Sequence, residues 1–288
     1  MAFAQPAYAR QTVSVPCSAA ALVTAVNAAN ATGSGTLLLA SNCNYVLTAP
    51  SATGRGPDGL LITGNVNIIG GVSTRISRST AAVPFRIIEV ASGAVLGLRN
   101  VFVSGGLTDN TVPTNDTGGG ILNSRGTITL VHTTITGNTA DNGAGISNDS
   151  GRLILSKTLV QANTTRATGG GGGGIYNDGS LTIQVSIVRG NRANTDGGGL
   201  YNGQGGRAEL IQSTVDQNTA GATGGGIFNA ADGRLILNRT LVEANTATNG
   251  GGIFNAGLAS RVTVITSIIR RNTPNNCAPT GSVAGCLS

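Results

Sequence analysis

The sequence predicts an all-β fold in which a single parallel β-helix, with three short strands per coil, carries an amphipathic helix over its N-terminal end. Three observations support this prediction. A glycine-rich unit recurs about every 26 residues, apolar residues alternate inside each unit, and the cysteines are confined to the two ends of the chain. A repeat of this length indicates a solenoid, because one unit cannot bury its apolar face without stacking on a copy of itself.

The repeated unit is written six times between residues 118 and 272. Each copy opens with a glycine run, an apolar residue, a variable residue and an asparagine, and it closes with a second asparagine. Stacked asparagines can hydrogen-bond from one coil to the next, so both columns have a structural explanation. The opening asparagines are Asn123, Asn148, Asn177, Asn202, Asn229 and Asn255, and the closing ones are Asn138, Asn163, Asn191, Asn218, Asn245 and Asn272.

Each unit is expected to contain three short strands. Apolar residues alternate with one small break, as in Leu153, Leu155 and Val160, which predicts two strands joined by a bend. The Gly-Ile-x-Asn piece supplies the third strand. Glycine runs and β-branched residues argue against a helical solenoid. In a parallel stack, equivalent side chains lie above one another at ~4.8 Å, so a column in the aligned units becomes a row in space.

The units resemble those of the secreted right-handed parallel β-helix proteins of bacteria. The GGGIxN and LxLxxSxVxxN patterns within roughly residues 36–272 carry the resemblance. That superfamily includes pectate-lyase-like polysaccharide lyases and hydrolases, and also repeat-rich surface proteins. The N-terminal block and the small size are in addition similar to small secreted bacterial hyaluronate lyases. The resemblance implies a right-handed coil and is more specific for the fold than for an activity.

The chain divides into four segments by pattern and composition. Ala-Tyr-Ala at 7–9 is similar to the end of a signal peptide with a small-x-small cleavage site. The predicted segments are an extended tail at 1–16 that includes this possible signal-peptide remnant, an N-terminal cap at 17–58, the β-helix at 59–272 and a disulfide-closed C-terminal tail at 273–288.

The N-terminal cap is predicted to be helical. Ser18 can cap a helix that carries Leu22, Val23 and Val26 on one side and ends near Gly33. Such a helix would cover the exposed core and open edges of the first coil.

Four cysteines at the two ends of the chain predict two local disulfides in an oxidising compartment, and therefore a secreted protein. A zinc site is the alternative, which the cysteine spacings and the single histidine disfavour. The expected pairs are Cys17–Cys43 and Cys277–Cys286.

Arginines fall into one column when the units are aligned on the Ser or Thr at the bend. The net charge is +6, and like charges stacked at the strand spacing repel, so we expect an anionic ligand along them. A turn that merely favours a long polar residue is the alternative. Four tyrosines and five phenylalanines are few for base stacking, so an acidic polysaccharide fits better than nucleic acid. The candidate substrate-binding arginines are Arg152, Arg207, Arg234 and Arg261.

The variable position of Gly-Ile-x-Asn forms a second column, which is expected to point outward. Aromatic rings occupy this position on four consecutive coils, at Tyr176, Tyr201, Phe228 and Phe254. Two interpretations stay open: a platform on which sugars stack, or the ordinary stacking preference of rings in a β-sheet. The loops leading into the two tyrosine strands add the candidates Arg166, Arg192 and Asn194.

β-Elimination of a uronic acid polymer requires that the carboxylate be neutralised, that a base remove the proton at C5 and that an acid protonate the leaving oxygen. Tyr176 and Tyr201 are the candidates for proton transfer, with Arg166 and Arg192 beside them, because a neighbouring positive charge favours phenolate. The resembled pectate lyases hold calcium with a cluster of aspartates. The sequence shows no such cluster, so no metal or cofactor is expected.

The prediction is a secreted polysaccharide lyase that acts on an acidic, uronate-containing glycan, and the resemblance implies hyaluronan. A non-catalytic adhesin-type β-helix is one alternative. A glycoside hydrolase using Asp216 and Glu243 is another, although Arg189 and Arg270 share their column and favour a salt-bridge ladder. His132, the single histidine, is a weaker catalytic candidate at a corner. No apolar run reaches the ~18 residues of a membrane span, and the oligomeric state stays open.

Overall fold

The computed structural model describes residues 12–108, 116–166 and 169–286. Over these ranges the chain forms the predicted all-β fold, a right-handed parallel β-solenoid of about ten coils. The Ala-Tyr-Ala of the predicted tail lies outside the described residues. None of the helices in the described residues has the length and apolar character that a membrane span requires.

Sheets A and B run along the solenoid axis on two of its sides, with parallel strands throughout. Sheet A contains Thr12–Val15, Ser34–Leu39, Asn65–Ile69, Val95–Arg99, Thr127–Val131, Arg152–Ser156, Ser180–Gln184, Arg207–Ile211, Arg234–Asn238 and Val262–Ile265. Sheet B contains Asn44–Leu47, Arg75–Arg78, Phe102–Ser104, Thr134–Thr136, Leu159–Gln161, Ile187–Arg189, Thr214–Asp216, Leu241–Glu243 and Ile268–Arg270.

Sheet C closes the third side, and a fourth sheet of two-residue strands, sheet D, lies between B and C along the chain. The sequence did not predict sheet D. Sheet C contains Ala52–Thr53, Pro57–Ile62, Arg86–Val90, Ile121–Ser124, Ile146–Asp149, Ile175–Asn177, Leu200–Asn202, Ile227–Asn229, Ile253–Asn255 and Cys277–Ala278. Sheet D contains Thr139–Ala140, Thr164–Thr165, Arg192–Ala193 and Thr219–Ala220.

The core between the sheets consists of apolar rows. Leu153 lies beside Leu181 and Val160 beside Val188, and all four side chains are buried. Burial of each such side chain contributes about 1.5–3 kcal/mol, so every coil adds a similar increment by covering its neighbour.

Both predicted asparagine columns form buried ladders that hold the coils in register. The Nδ2 group of each asparagine donates to Oδ1 of the next, at 2.7–3.0 Å in the opening column and 2.9–3.0 Å in the closing column. The same side chains also satisfy turn carbonyls, as Asn148 does for Gly151. The structural explanation of the asparagines is therefore confirmed.

The N-terminal cap is a helix, Ala19–Ala31, as predicted. Ser18 Oγ accepts the N–H of Ala21, and Leu22 and Val26 are buried against the first coil. Both predicted disulfides are present, Cys17–Cys43 with Cα atoms 5.7 Å apart and Cys277–Cys286 with Cα atoms 6.3 Å apart.

The solenoid begins earlier than the predicted boundary at residue 59. Ser34–Leu39, Asn44–Leu47 and Pro57–Ile62 already occupy sheets A, B and C. Thr12–Val15, assigned to the extended tail, pairs in parallel with Ser34–Leu39 as the first strand of sheet A. These early coils lack the glycine-asparagine unit, so the repeat pattern gave no sign of them.

The corner between sheets A and B uses the left-handed backbone conformation on residues that carry side chains. Their φ angles lie between 47° and 51° on six consecutive coils, which costs about 1–2 kcal/mol per residue. His132 is exposed at this corner, and its position is explained by the turn. The six residues are His132, Lys157, Val185, Gln212, Arg239 and Thr266.

Candidate functional site

Three arginines form a row on the outer face of sheet A, at the first position of their strands. Strand register places Arg152 beside Ser180, Ser180 beside Arg207, and Arg207 beside Arg234. All three guanidinium-bearing side chains are exposed. We call Arg152, Arg207 and Arg234 the arginine row, with its gap at Ser180.

Arg261, the fourth predicted member, departs from this row. It ends the 3-10 turn Ala259–Arg261, and the last strand of sheet A begins only at Val262, beside Leu235. The Arg261 guanidinium faces Asp232 at 3.8 Å. The loop before it is the longest of the sheet C to sheet A turns in the six units, which leaves room for the extra turn.

The arginine row has no carboxylate partner among the described residues, because none of its three side chains forms an ion pair there. Glu209 is the one acidic residue in the strands of sheet A. Glu209, Arg207 and Arg234 line a shallow groove of about 220 Å³ together with Ser180 and Thr182. This face therefore presents three arginines and one glutamate beside a shallow groove, a net positive charge with no ion pair to the arginine row among the described residues.

The aromatic column points outward from sheet C, as predicted, and its four rings are half-buried. Tyr176 stacks on Tyr201 with centroids 4.9 Å apart, Tyr201 on Phe228 at 4.7 Å, and Phe228 on Phe254 at 5.7 Å. The ring planes differ by only 3–19°. Ring faces are thus turned to one another, and the inner rings offer mainly their edges to a ligand. Ser147 precedes Tyr176 in the row, so one face of Tyr176 has no ring against it.

Tyr176 pairs with an acidic residue that the sequence analysis did not select. Its hydroxyl lies close enough to Asp178 for the two groups to interact, and burial, followed by the charge of Asp178, raises the pKa of Tyr176. Burial also raises the pKa of the Asp178 carboxyl; the interaction with Tyr176 opposes that shift and the charge of Asp149 adds to it. Burial and then Asp196 raise the pKa of Tyr201 in the same direction. Both phenols therefore keep their protons near neutral pH, whereas the sequence hypothesis required a pKa lowered by arginine.

The two loop arginines occupy positions on sheet D and next to it. Arg166 Nε lies 3.5 Å from Asp141 Oδ1, so an acid already balances its charge. Arg192 is exposed at the start of Arg192–Ala193. Asn194 braces the loop, because its Nδ2 donates to the Arg166 carbonyl at 2.7 Å.

The arginine row and the Tyr176–Asp178 pair lie on adjoining sides of one corner. Asp178 stands two residues before Ser180, in the turn that leads from sheet C to sheet A. The gap in the arginine row thus falls on the coil that carries Tyr176 and Asp178. The aromatic column on sheet C and the arginine row on sheet A run parallel along this corner, because both follow strand register.

Sequence reasoning also missed a group of charged residues from the early coils. Arg86 lies between two carboxylates, 3.3 Å from Asp58 and 3.0 Å from Glu89, with all three side chains buried. Arg55 forms an ion pair with Asp149, one coil before Asp178. A buried Arg-Ile-Ile-Glu strand among apolar coils was the only available sign of the buried group.

Within the described part of the chain, no three His, Cys, Asp or Glu side chains are grouped so that they could hold a metal ion. The ionisable side chains described at this corner are those of arginine, aspartate and tyrosine. No protein-family model, curated protein or solved structure matches this chain.

Proposed function

We propose that the protein is a secreted polysaccharide lyase that binds an acidic, uronate-containing glycan along the arginine row and cleaves it by β-elimination at the adjoining corner. The observation that carries this proposal is the unpaired arginine row with its gap beside Tyr176 and Asp178. Arg152 and Arg207 are two strand spacings apart, about 9.6 Å, which suits charges repeated along an extended polymer.

The reaction would use Asp178 and Tyr176 in separate roles. The Asp178 carboxylate, with its raised pKa, removes the proton at C5 of the uronate. Electrons then form the C4–C5 double bond as the C4–O bond breaks, and the Tyr176 phenol protonates the leaving oxygen. Burial raises the pKa of the Tyr176 phenol, so Tyr176 still carries its proton when the C4–O bond breaks. Tyr201, which the sequence offered as a second proton-transfer residue, takes no step in this mechanism. Arg166 and Arg192 stay predictions, and the ion pair of Arg166 with Asp141 makes Arg166 the weaker of the two.

Two disulfides support a secreted protein, and a polymer outside the cell is the substrate that such a protein meets. Hyaluronan is the first substrate to test, because of the family resemblance. The arginine row itself selects for anionic polymers as a class.

The test is incubation with hyaluronan, polygalacturonate or alginate in the presence of a chelator, followed by the absorbance of the unsaturated uronate product. We expect product without metal. Tyr176→Phe and Asp178→Asn should each lower kcat by about 100-fold or more, the usual contribution of a positioned acid or base. Tyr201→Phe, the stacked neighbour, is the matched control and should retain most activity. Product that requires added calcium would reject the metal-free mechanism.

A non-catalytic cell-surface β-helix is the second candidate. The observation that favours it is the mutual stacking of the rings, which leaves few ring faces for sugars. Salt-dependent binding of the same glycans, with no product from any of them, would support this candidate over the lyase.

A further inference from the structure

Residues 51–59 form a strap on the edge of sheet C. Ala52–Thr53 turns back on Pro57 and Asp58 as the one antiparallel strand pair of the described sheets. Ser51 N also donates to the Asp58 carbonyl at 2.8 Å. The strap therefore departs from the repeated coil and brings a separate piece of chain to this edge.

The strap is fixed by the buried charged group of the early coils. Asp58 Oδ2 accepts the N–H of Gly54 at 2.8 Å, and Glu89 Oε2 accepts the N–H of Arg55 at 2.8 Å. Arg86 Nη1 donates to the same Glu89 oxygen at 3.0 Å. A Cβ added at Gly54 would lie 2.5 Å from Glu89, so the strap rests directly on this carboxylate. The main chain at Arg55 is thereby held in place by contacts that do not involve the Arg55 side chain.

The Arg55 side chain extends along sheet C toward the candidate reaction site. Its Nη1 atom contacts Asp149 Oδ2, and it lies 3.5 Å from Ser124 Oγ. Asp149 occupies the position of Asp178 on the preceding coil, because Asn148 and Asn177 are paired in register. The arginine side chain is 44% exposed and that of Asp149 32% exposed, so the pair is open to a ligand.

We propose that Arg55 binds the uronate carboxylate at the cleavage position, with Asp149 holding the guanidinium there when no glycan is bound. This inference rests on the proposed function and names the residue that neutralises the carboxylate next to Asp178. The Arg55 guanidinium contacts Asp149, one coil before Asp178, whereas Arg166 lies next to sheet D, which precedes sheet C along the coil. A guanidinium can engage a carboxylate through two parallel hydrogen bonds, which fixes the sugar ring as well as its charge.

The test compares binding of hexasaccharides of hyaluronan, polygalacturonate and alginate with binding of the same oligosaccharides after chemical reduction of their carboxyl groups. Arg55→Gln should weaken binding of the acidic form at least tenfold and leave the weak binding of the reduced form unchanged. Arg55→Lys should recover only part of the affinity, because it restores the charge without the planar fork. Arg125→Gln is the matched control, since Arg125 follows Ser124 in the neighbouring turn and has no ion pair among the described residues.

Three results would overturn the inference. Equal loss of the acidic and the reduced forms in Arg55→Gln would assign the residue a structural role. Unchanged affinity in Arg55→Gln, together with weaker binding in Arg207→Gln, would remove Arg55 and leave the proposed function in place. Failure of the unmodified protein to bind any of the three acidic oligosaccharides would remove both proposals together.

Discussion

Sheets A and B both stack charged side chains on consecutive coils, but they arrange them differently. On sheet B the row reads Arg189, Asp216, Glu243 and Arg270 in strand register. Arg189 Nη2 forms an ion pair with Asp216 Oδ2 at 2.7 Å, and Arg270 Nε forms one with Glu243 Oε2 at 3.0 Å. On sheet A the arginine row has a serine in its gap and no carboxylate partner among the described residues.

The difference shows what the solenoid itself requires. Sheet B demonstrates that this fold accommodates opposite charges on neighbouring coils and pairs them. A row of one sign is therefore not imposed by the coil geometry, and its repulsion is relieved most directly by an anionic ligand. The pairing on sheet B also confirms the predicted salt-bridge ladder and leaves Asp216 and Glu243 engaged with arginines.

The comparison of sheets A and B assumes that the asparagine ladders hold all coils in one register. Breaking a ladder tests this assumption, and it should cause the largest loss of stability among the variants proposed. Asn218 accepts from the N–H and Nδ2 of Asn191 and donates to Asn245 and to the Val188 carbonyl, all at 2.9–3.0 Å. Asn218→Ala leaves these buried groups without partners and should lower the free energy of unfolding by about 3 kcal/mol. Urea denaturation measures this loss. Gln204→Ala, at an exposed turn, is the control, and a loss below about 1 kcal/mol in Asn218→Ala would contradict the ladder's role.

The columns were predictable from the sequence because one repeat length fixes register. Asn123 and Asn148, or Arg207 and Arg234, become neighbours once the units are aligned, and the structure places them so. The alternation of inward and outward residues in the Gly-Ile-x-Asn strand also correctly predicted that the aromatic column points outward. Alignment of the units therefore predicted the contacts between equivalent positions of neighbouring coils.

Contacts between residues at non-equivalent positions of the repeat were not predictable from the sequence. Arg55 and Asp149 are 94 residues apart in the sequence, and the strap that carries Arg55 belongs to no repeat. Val185 has a φ of 49°, a left-handed conformation that β-branched residues disfavour. It adopts this conformation because the turn stacks on the equivalent turns of the neighbouring coils, which local propensity does not predict. The Tyr176–Asp178 pairing was likewise hidden, because a turn aspartate carries no sign of which way its side chain faces.

The buried group of the early coils gives a third arrangement of charge, with two carboxylates for one arginine. Burial, opposed by the charge of Arg86, raises the pKa of Asp58 to about 7 from 3.8. The unfolded chain therefore loses this proton first, so stability falls as the pH rises from about 4 through 7. Asp58→Asn removes this penalty and keeps an acceptor for the Gly54 N–H.

The free energy of unfolding of Asp58→Asn, relative to the unmodified protein, should thus rise by roughly 2–3 kcal/mol between pH 5 and pH 8. Urea denaturation of both proteins at the two pH values measures the change. The same relative stability at both would mean that Asp58 is ionised in the folded protein throughout this range.

The smallest stability effects bear most directly on the comparison between sheets A and B. Asp216→Asn removes the partner of Arg189 and should cost roughly 1 kcal/mol, because that arginine is half-exposed and water screens the pair. Arg207→Gln breaks no pair among the described residues and relieves repulsion from Arg234, so its stability should stay within about 0.5 kcal/mol. Denaturant unfolding at low salt measures both changes.

For glycan affinity we expect the reverse: Arg207→Gln should have the larger effect and Asp216→Asn the smaller. Arg207→Gln is expected to weaken binding of an acidic polysaccharide about tenfold, with a smaller dependence on salt, while Asp216→Asn leaves binding unchanged because Arg189 faces outward from a different sheet. Affinity electrophoresis in hyaluronan-containing gels at two salt concentrations compares the two variants. If Asp216→Asn altered binding as strongly as Arg207→Gln, the positive charge of the whole molecule, rather than the unpaired row on sheet A, would be what attracts the ligand.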